Sequence, residues 1–210
     1  MALEQARHLI GYDKEKGITR AGYNCRRLNI RNENGHVTAD LIDDSRQEDM
    51  IDNCDAFSAL TFYLIALDQL GHLFVKKSKR KSVYVASLLE IAKTNEFSDE
   101  GCRMAVENLR NSLCHSFGLV NMANSKNCFC KFTLDFTTVD KIIQLPTAPW
   151  NGDWEDKSEA TQIEIGVFPL CNAIEKVIVS IVEQYKRGEI PCSIENNEEL
   201  KTRFTIVCNS

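Results

Sequence analysis

The sequence predicts a mainly α-helical fold, a helical bundle with a small β appendage, as a single domain over residues 1–210. Three observations predict this class. Apolar residues recur at three- and four-residue steps over about 49–118, which is the period of an amphipathic helix. A second stripe with this period covers about 169–187. Between the two stripes, over about 127–167, apolar and polar residues alternate, which is typical of strands.

Composition supports a folded domain and limits its partners. Of the 210 residues, 43% are hydrophobic, enough for a sizeable core. The net charge of −5 argues against a protein that coats nucleic acid non-specifically, although a local basic patch remains compatible with binding RNA. The first residues do not resemble a secretory signal, and the longest apolar run, Leu60–Leu67, is too short to span a bilayer. We therefore expect a soluble, cytoplasmic protein with no membrane segment.

The cysteines do not indicate a disulfide framework. There are nine of them, an odd number, without a secretory signal. Cys102 and Cys171 fall on apolar faces of predicted helices, where a thiol behaves as a small hydrophobe. Cys128 and Cys130 would share one face of a strand, but no second pair stands at the spacing of a zinc site. We expect reduced thiols in a cytosolic protein, with no metal and no other cofactor.

The amino-terminal half is expected to begin with irregular structure. Met1–His8 is compatible with a short helix, and the polar segment 11–35 is rich in turn signals, of which Asn34-Gly35 is the strongest. From about Asp49 the helical period begins. The residues that carry it are Leu60, Tyr63, Leu64, Leu67, Leu70 and Phe74.

Two further helices are predicted before the sequence changes period. The segment Val83–Ala92 fits the first. For the second, Ser98 is a good N-cap, and Asp99 in the first turn suits the positive end of the helix dipole. This helix should continue to about Phe117 and end at Gly118.

The remaining elements are strands followed by a last helix. Phe132, Leu134 and Phe136 alternate with polar residues and predict a strand. Pro169 suits the first turn of a helix that ends near Gly188. The other expected features are a short strand at Ile142–Leu145, a loop with both tryptophans at Pro149–Asp156, a strand or a helix start at Ile163–Val167, and an edge strand at Arg203–Val207.

The helix that begins after Ser98 carries the residues most suited to chemistry. With about 100° between successive residues, Asn111 and His115 lie nearly opposite the core stripe of Cys102, Val106, Leu109 and Leu113. They are four residues apart, so their side chains can touch. Arg110 lies on the flank, about 110° from that direction. Either its long side chain swings over, or a facing subunit brings the two groups together.

The segment Arg110-Asn111-Ser112-Leu113-Cys114-His115 resembles the Arg-polar-x-x-x-His signature of the HEPN superfamily. The resemblance implies a helical domain, commonly dimeric, with the motif on a late helix of a four- or five-helix bundle. It also implies a metal-independent endoribonuclease, as many members in toxin–antitoxin, phage-defence and RNA-processing systems are. Family members silenced by nucleotidylation carry a tyrosine two residues after the motif histidine. Phe117 stands there and has no hydroxyl to modify.

The residue types suit RNA cleavage without a metal. The 2′-hydroxyl attacks the adjacent phosphorus, so one group must accept its proton and another must stabilise the developing negative charge. Histidine exchanges protons near neutral pH, and arginine grips phosphate oxygens while it stays charged. We assign these roles to His115 and Arg110, with Asn111 as an orienting group. The expected products are a 2′,3′-cyclic phosphate and a 5′-hydroxyl.

A second copy of the spacing occurs at Arg31-Asn32-Glu33-Asn34-Gly35-His36. Asn34-Gly35 would break a helix, and no apolar stripe supports the segment. We therefore interpret this copy as a coincidence in a turn and place the active site at Arg110 and His115.

Two further groups are weaker candidates. Asp68 and His72, four apart on the first long helix, either support the site or form an ordinary exposed pair. The basic run either steers phosphate towards the site or is a solvated loop. This run consists of Lys76, Lys77, Lys79, Arg80 and Lys81.

The expected partners are RNA, a second copy of the chain bound through the motif helix, and a cognate antitoxin protein. The face with Met104, Asn108, Asn111, His115 and Gly118 is not needed for the core stripe, so it can form a two-fold interface. Such a dimer would place Arg110 of one chain near His115 of the other. Two alternatives remain: a non-catalytic module of the same fold that binds a nucleotide or a protein, and a helical dimerisation protein in which the motif is accidental.

Overall fold

The computed structural model describes residues 2–19, 22–23, 26–33, 36–43, 50–75, 83–116, 118–123 and 128–193. Within these ranges there are five α-helices: α1 (Ala2–Ile10), α2 (Asn53–Phe74), α3 (Tyr84–Ala92), α4 (Glu100–Ser116) and α5 (Val167–Lys186). The strands are β1 (Gly22–Tyr23), β2 (Arg26–Glu33), β3 (His36–Asp43), β4 (Ile51–Asp52), β5 (Val120–Ala123), β6 (Cys128–Asp135), β7 (Ile143–Gln144) and β8 (Gln162–Gly166). A mainly helical fold with a small β part is confirmed.

The helix α2 is the centre of the bundle and contacts α1, α3, α4 and α5. It begins where the Asp52 side chain accepts a hydrogen bond from the backbone N–H of Cys54 at 2.6 Å, which satisfies one of the free donors of the first turn. Its predicted start near Asp49 is therefore four residues early. The buried positions include Leu60, Tyr63 and Leu64, as the apolar period predicts.

The same helix has the length and composition of a membrane span. A single helix of this kind is weak evidence, since central helices of soluble proteins meet the same criteria. Here α2 supplies part of a hydrophobic core shared with the other helices. The absence of a membrane segment stays a prediction.

The helix α4 presents its predicted core stripe and begins one residue later than expected. Val106, Leu109 and Leu113 are buried, while Cys102 is half-buried. The cap is Asp99 rather than Ser98, because the Asp99 carboxylate accepts the backbone N–H of Cys102 at 3.0 Å.

The small β part contributes residues to the hydrophobic core. Its four-stranded sheet has the order β5-β6-β8-β7, in which β6 and β8 are parallel and the other pairs antiparallel. Phe132, Ile163 and Ile165 are buried in the same cluster as the helical residues. Alternating residues of this sheet therefore pack against the helices and contribute to the hydrophobic core. The strand β5 was not predicted, since four residues carry too little alternation.

The junction of β8 and α5 lies in the segment Ile163–Val167, for which the sequence predicted either a strand or a helix start. The strand ends at Gly166 and the helix begins at Val167, so both interpretations of this segment hold in part. Pro169 lies in the first turn of α5, and Gly188 follows the helix with a φ of +72°, as a helix end favours.

The segment interpreted as turn-rich contains an antiparallel pair of strands. The strands β2 and β3 pair from Arg26 with Asp43 to Glu33 with His36. Arg31 and His36 thus lie on strands, which agrees with a non-helical setting but corrects the assignment to a turn alone. An Asn-Gly pair between two extended runs is a hairpin signal that we read only as a turn. The expected strand at 203–207 lies outside the described residues.

Candidate active site

The core of the site is an ion pair between two helices. The Arg110 guanidinium of α4 places Nη2 2.5 Å from Oδ1 of Asp68 on α2. Both side chains are largely enclosed, with exposed fractions of 16% for Arg110 and 21% for Asp68. A charge-assisted contact of this length in a partly enclosed setting fixes the guanidinium in place. Asp68, a weak candidate from the sequence, thus contacts the motif directly.

The other terminal nitrogen of the same guanidinium contacts the two remaining polar residues of the predicted site. Arg110 Nη1 lies 2.7 Å from Oδ1 of Asn111 and 3.3 Å from Nε2 of His115. The long arginine side chain therefore crosses the angular gap on the helix within one chain. His115 itself is exposed, so its ring is accessible to a ligand. The three predicted catalytic residues are brought together.

The guanidinium has little unused hydrogen-bonding capacity. Nη1 donates to Asn111 and His115, and Nη2 donates one hydrogen to Asp68. Nε is buried and has no acceptor among the described residues. Among the described contacts, one hydrogen on Nη2 has no acceptor and is available to a ligand. Because an arginine only donates, the contact with His115 requires a neutral ring that carries its proton on Nδ1.

His72 and Tyr84 extend the site along α2 and α3. Nε2 of His72 lies 3.8 Å from the same Oδ1 of Asp68, an ion-pair distance when the ring is protonated. The rings of His72 and Tyr84 lie with centroids 4.1 Å apart and planes tilted by 39°. His72 is 43% exposed. Sequence reasoning missed Tyr84, whose position at the start of α3, directly after the basic run, was the available signal.

Glu107, one turn before Arg110 on α4, is a second residue that the sequence did not reveal. Its carboxylate is buried and accepts the backbone N–H groups of Val85 and Ala86 at 2.8 and 3.1 Å, at the beginning of α3. Burial raises the pKa of Glu107, while these two donors and the Arg110 charge oppose the rise. Glu107 thereby ties α3 to α4 beside the ion pair.

The face expected to form a dimer is partly covered by the sheet of the same chain. The Asn108 amide accepts from Nδ2 of Asn121 on β5 at 3.0 Å and donates to Sγ of Cys130 on β6 at 3.6 Å. Its hydrogen bonds are therefore made within the chain. Of the five residues proposed for the interface, His115 is the exposed one, whereas Met104, Asn108, Asn111 and Gly118 are half-buried. The dimer stays a prediction.

Several predicted residues lie outside the described part of the chain. They are Lys76, Lys77, Lys79, Arg80, Lys81 and Phe117. In the sequence, the basic run lies between two residues of the site, because Lys76 is four positions after His72 and Lys81 is three positions before Tyr84.

Neither a metal-binding group among the described residues nor a match to a known protein assigns a function to the site. Within the described ranges, no three His, Cys, Asp or Glu side chains are grouped so that they could hold a metal ion. The Cys130 sulfur accepts the hydrogen bond from Asn108, and the side chain of Cys128 lies outside the described part of the structure. The chain matches no protein-family model, no curated protein and no solved structure.

Proposed function

We propose that this protein is a metal-independent endoribonuclease of the HEPN type, with Arg110 and His115 as its catalytic residues. The observation that carries the proposal is the 3.3 Å contact between Arg110 Nη1 and His115 Nε2, on a guanidinium anchored by Asp68. A cation that grips phosphate and a group that exchanges protons thus stand side by side at an accessible surface.

The reaction follows from the chemistry of these two groups. The Arg110 guanidinium binds a non-bridging oxygen of the scissile phosphate and stabilises the charge that develops there. The neutral His115 ring accepts the proton of the 2′-hydroxyl at Nε2, and the 2′-oxygen forms a bond to phosphorus. The bond from phosphorus to the 5′-oxygen breaks, which leaves a 2′,3′-cyclic phosphate and a 5′-hydroxyl.

Substrate binding must first rearrange the contact between the two residues. In the free protein the Nε2 lone pair accepts from Arg110, so it is not available to a hydroxyl proton. A phosphate oxygen competes for the same Nη1 hydrogen and carries a full charge, which makes it the stronger acceptor. Arg110 then transfers its hydrogen bond to the phosphate, and Nε2 of His115 becomes free to act as a base.

The proposal includes a cytoplasmic setting and three partners. RNA would reach the site along the basic run, whose charges attract phosphate despite the net charge of −5. A second copy would bind through α4 near the exposed His115. A cognate antitoxin protein would restrain the activity, as the resemblance to toxin–antitoxin enzymes implies.

Product chemistry tests the proposal. An RNA oligonucleotide is cut by the purified protein, the cleavage position is mapped, and a second oligonucleotide carries a single 2′-deoxy nucleotide there. We expect a 2′,3′-cyclic phosphate end from the first and no cut at that position in the second. Cleavage at the deoxy position, or a product with a 5′-phosphate, would contradict attack by the 2′-hydroxyl.

A further inference from the structure

The proposed reaction needs a second proton transfer, because the 5′-oxygen is a poor leaving group unless it is protonated. His115 accepts the first proton, so it does not supply the second in the same step. No other residue of the motif suits this role, since Asn111 does not titrate and Arg110 does not deprotonate. The other polar members point away from the surface: Ser112 is buried and donates to the Asn108 carbonyl, and Cys114 packs against the core. A donor of this second proton must come from outside the motif.

We infer that His72 is the general acid that protonates the leaving 5′-oxygen, an inference that rests on the proposed function. His115 contacts Nη1 of Arg110, whereas His72 approaches Nη2 through the shared Asp68 carboxylate. The Asp68 oxygen thus bridges Nη2 of Arg110 and the His72 ring, while the His115 ring lies at the other terminal nitrogen of the same guanidinium. A phosphate held by Arg110 would lie between an acceptor and a donor of protons, which in-line displacement requires.

The surroundings of His72 suit a proton donor. Among the residues that the structure describes, the charged and titratable groups placed against it are Asp68 on its own helix, Tyr84 of α3 and, through Asp68, Arg110 of α4. A protonated ring at His72 faces the Asp68 carboxylate at 3.8 Å, so its positive charge is matched. With 43% of the side chain exposed, the ring is open to substrate.

The ring is also held in place from two directions. Tyr84 packs against it with centroids 4.1 Å apart. The end of α2 is fixed through Ser193, whose hydroxyl donates to the backbone carbonyl of His72 at 2.8 Å and whose N–H donates to that of Leu73 at 2.6 Å. A catalytic group must be held in one geometry to act, and these contacts restrict both the ring and the backbone that carries it.

The step balances without a further reactant. As the 2′-oxygen bonds to phosphorus, its proton passes to His115. As the bond to the 5′-oxygen breaks, the His72 imidazolium gives that oxygen a proton. His115 ends protonated and His72 neutral, and exchange with water resets both rings.

A substrate with a better leaving group separates a proton donor from a structural residue. One RNA oligonucleotide has the natural 5′-oxygen at the mapped cleavage position, and its partner has a 5′-bridging sulfur, which departs as a thiolate without protonation. His72→Phe keeps an aromatic ring beside Tyr84 but cannot donate a proton. His8→Ala, which removes an exposed histidine on α1, is the matched control.

We expect His72→Phe to cut the oxygen substrate at least about 10²-fold more slowly than the parent, and the sulfur substrate within a few-fold of it. His115→Ala should be slow on both substrates, and His8→Ala normal on both. Circular dichroism and the thermal midpoint establish that the variants are folded.

Three results would overturn the inference while leaving the nuclease proposal intact. The first is a normal rate of His72→Phe on the oxygen substrate. The second is an equal loss of rate on both substrates by folded His72→Phe. The third is that the sulfur substrate restores the rate of His115→Ala and not that of His72→Phe. If the parent protein cuts neither substrate, the nuclease proposal itself fails, and the role of His72 fails with it.

Discussion

Asp68 of α2 holds Arg110 of α4 through an ion pair of 2.5 Å, although 42 positions of sequence separate them. This contact decides the direction of the guanidinium, because it engages Nη2 and leaves Nη1 to face His115. A residue from another helix therefore completes the site, and the spacing of residues within the motif does not predict this contact.

Replacing either member of this ion pair should impair catalysis without unfolding the protein. Asp68→Asn removes the charge that orients Arg110, and Arg110→Lys cannot contact Asp68, Asn111 and His115 at once, since a lysine has no planar fork. We expect each to lose about 10-fold to 10²-fold in kcat, and Asp68→Asn to lose roughly 1–3 kcal/mol of unfolding free energy. RNA cleavage and urea denaturation measure both. Unchanged kcat in folded Asp68→Asn would exclude a positioning role for this carboxylate.

The two copies of the Arg-x4-His spacing should differ in importance. We expect His115→Ala to reduce RNA cleavage by at least about 10²-fold, the usual size of general acid–base assistance. His36→Ala, on β3, should stay within a few-fold of the parent. Initial rates on one RNA substrate compare the two variants. If His36→Ala is the inactive one, the site has been placed wrongly.

Glu107 should make stability depend on pH. Because burial raises its pKa above the unfolded value, the native state binds the proton more tightly, and stability falls as pH rises from the unfolded pKa through the raised one. Glu107→Gln keeps an acceptor for Val85 and Ala86 without the charge, so we expect this fall to be smaller. Glu107→Leu leaves both donors unsatisfied and should cost about 2–4 kcal/mol.

Urea denaturation of the parent and the Gln variant at pH 5 and pH 8 measures the effect. The stability difference should shift in favour of Glu107→Gln at the higher pH. A shift in favour of the parent would mean that the ionised carboxylate is the form the native state prefers.

Much of the fold was predictable, and the gaps have physical causes. A long apolar stripe with a period of about 3.6 residues, such as that of α5, is compatible only with a helix. The approximate helix positions could therefore be predicted from this period. The strand β2 was missed because Asn34-Gly35 was interpreted as a turn without the hairpin that it favours, and β5 was missed because four residues carry too little alternation. The Arg110, Asn111 and His115 set came from spacing on one helix. Tyr84 and Glu107 could not be found in this way, because only the packing of α3 against α2 and α4 brings them to the site.

The contact between Arg110 and His115 within one chain changes what a mixing experiment should show. We expected a site shared by two subunits because the helix separates these residues by angle, and the arginine side chain bridges that angle. Mixed Arg110→Ala and His115→Ala proteins contain no chain with both groups, so we expect no recovery of RNA cleavage even after subunit exchange. Recovered activity would show that each cleft takes one residue from each chain, and would support the dimer through α4.

Cleavage of total RNA in the presence of EDTA tests the central claim most directly. Purified protein is incubated with RNA and the chelator beside an Arg110→Ala/His115→Ala double variant of verified fold. We predict cleavage by the parent that persists in EDTA, 2′,3′-cyclic phosphate ends on its products, and no cleavage by the double variant. Equal cleavage by both proteins, no cleavage by the parent, or activity that disappears in EDTA and returns with magnesium or manganese would contradict the assignment of a metal-independent nuclease to Arg110 and His115.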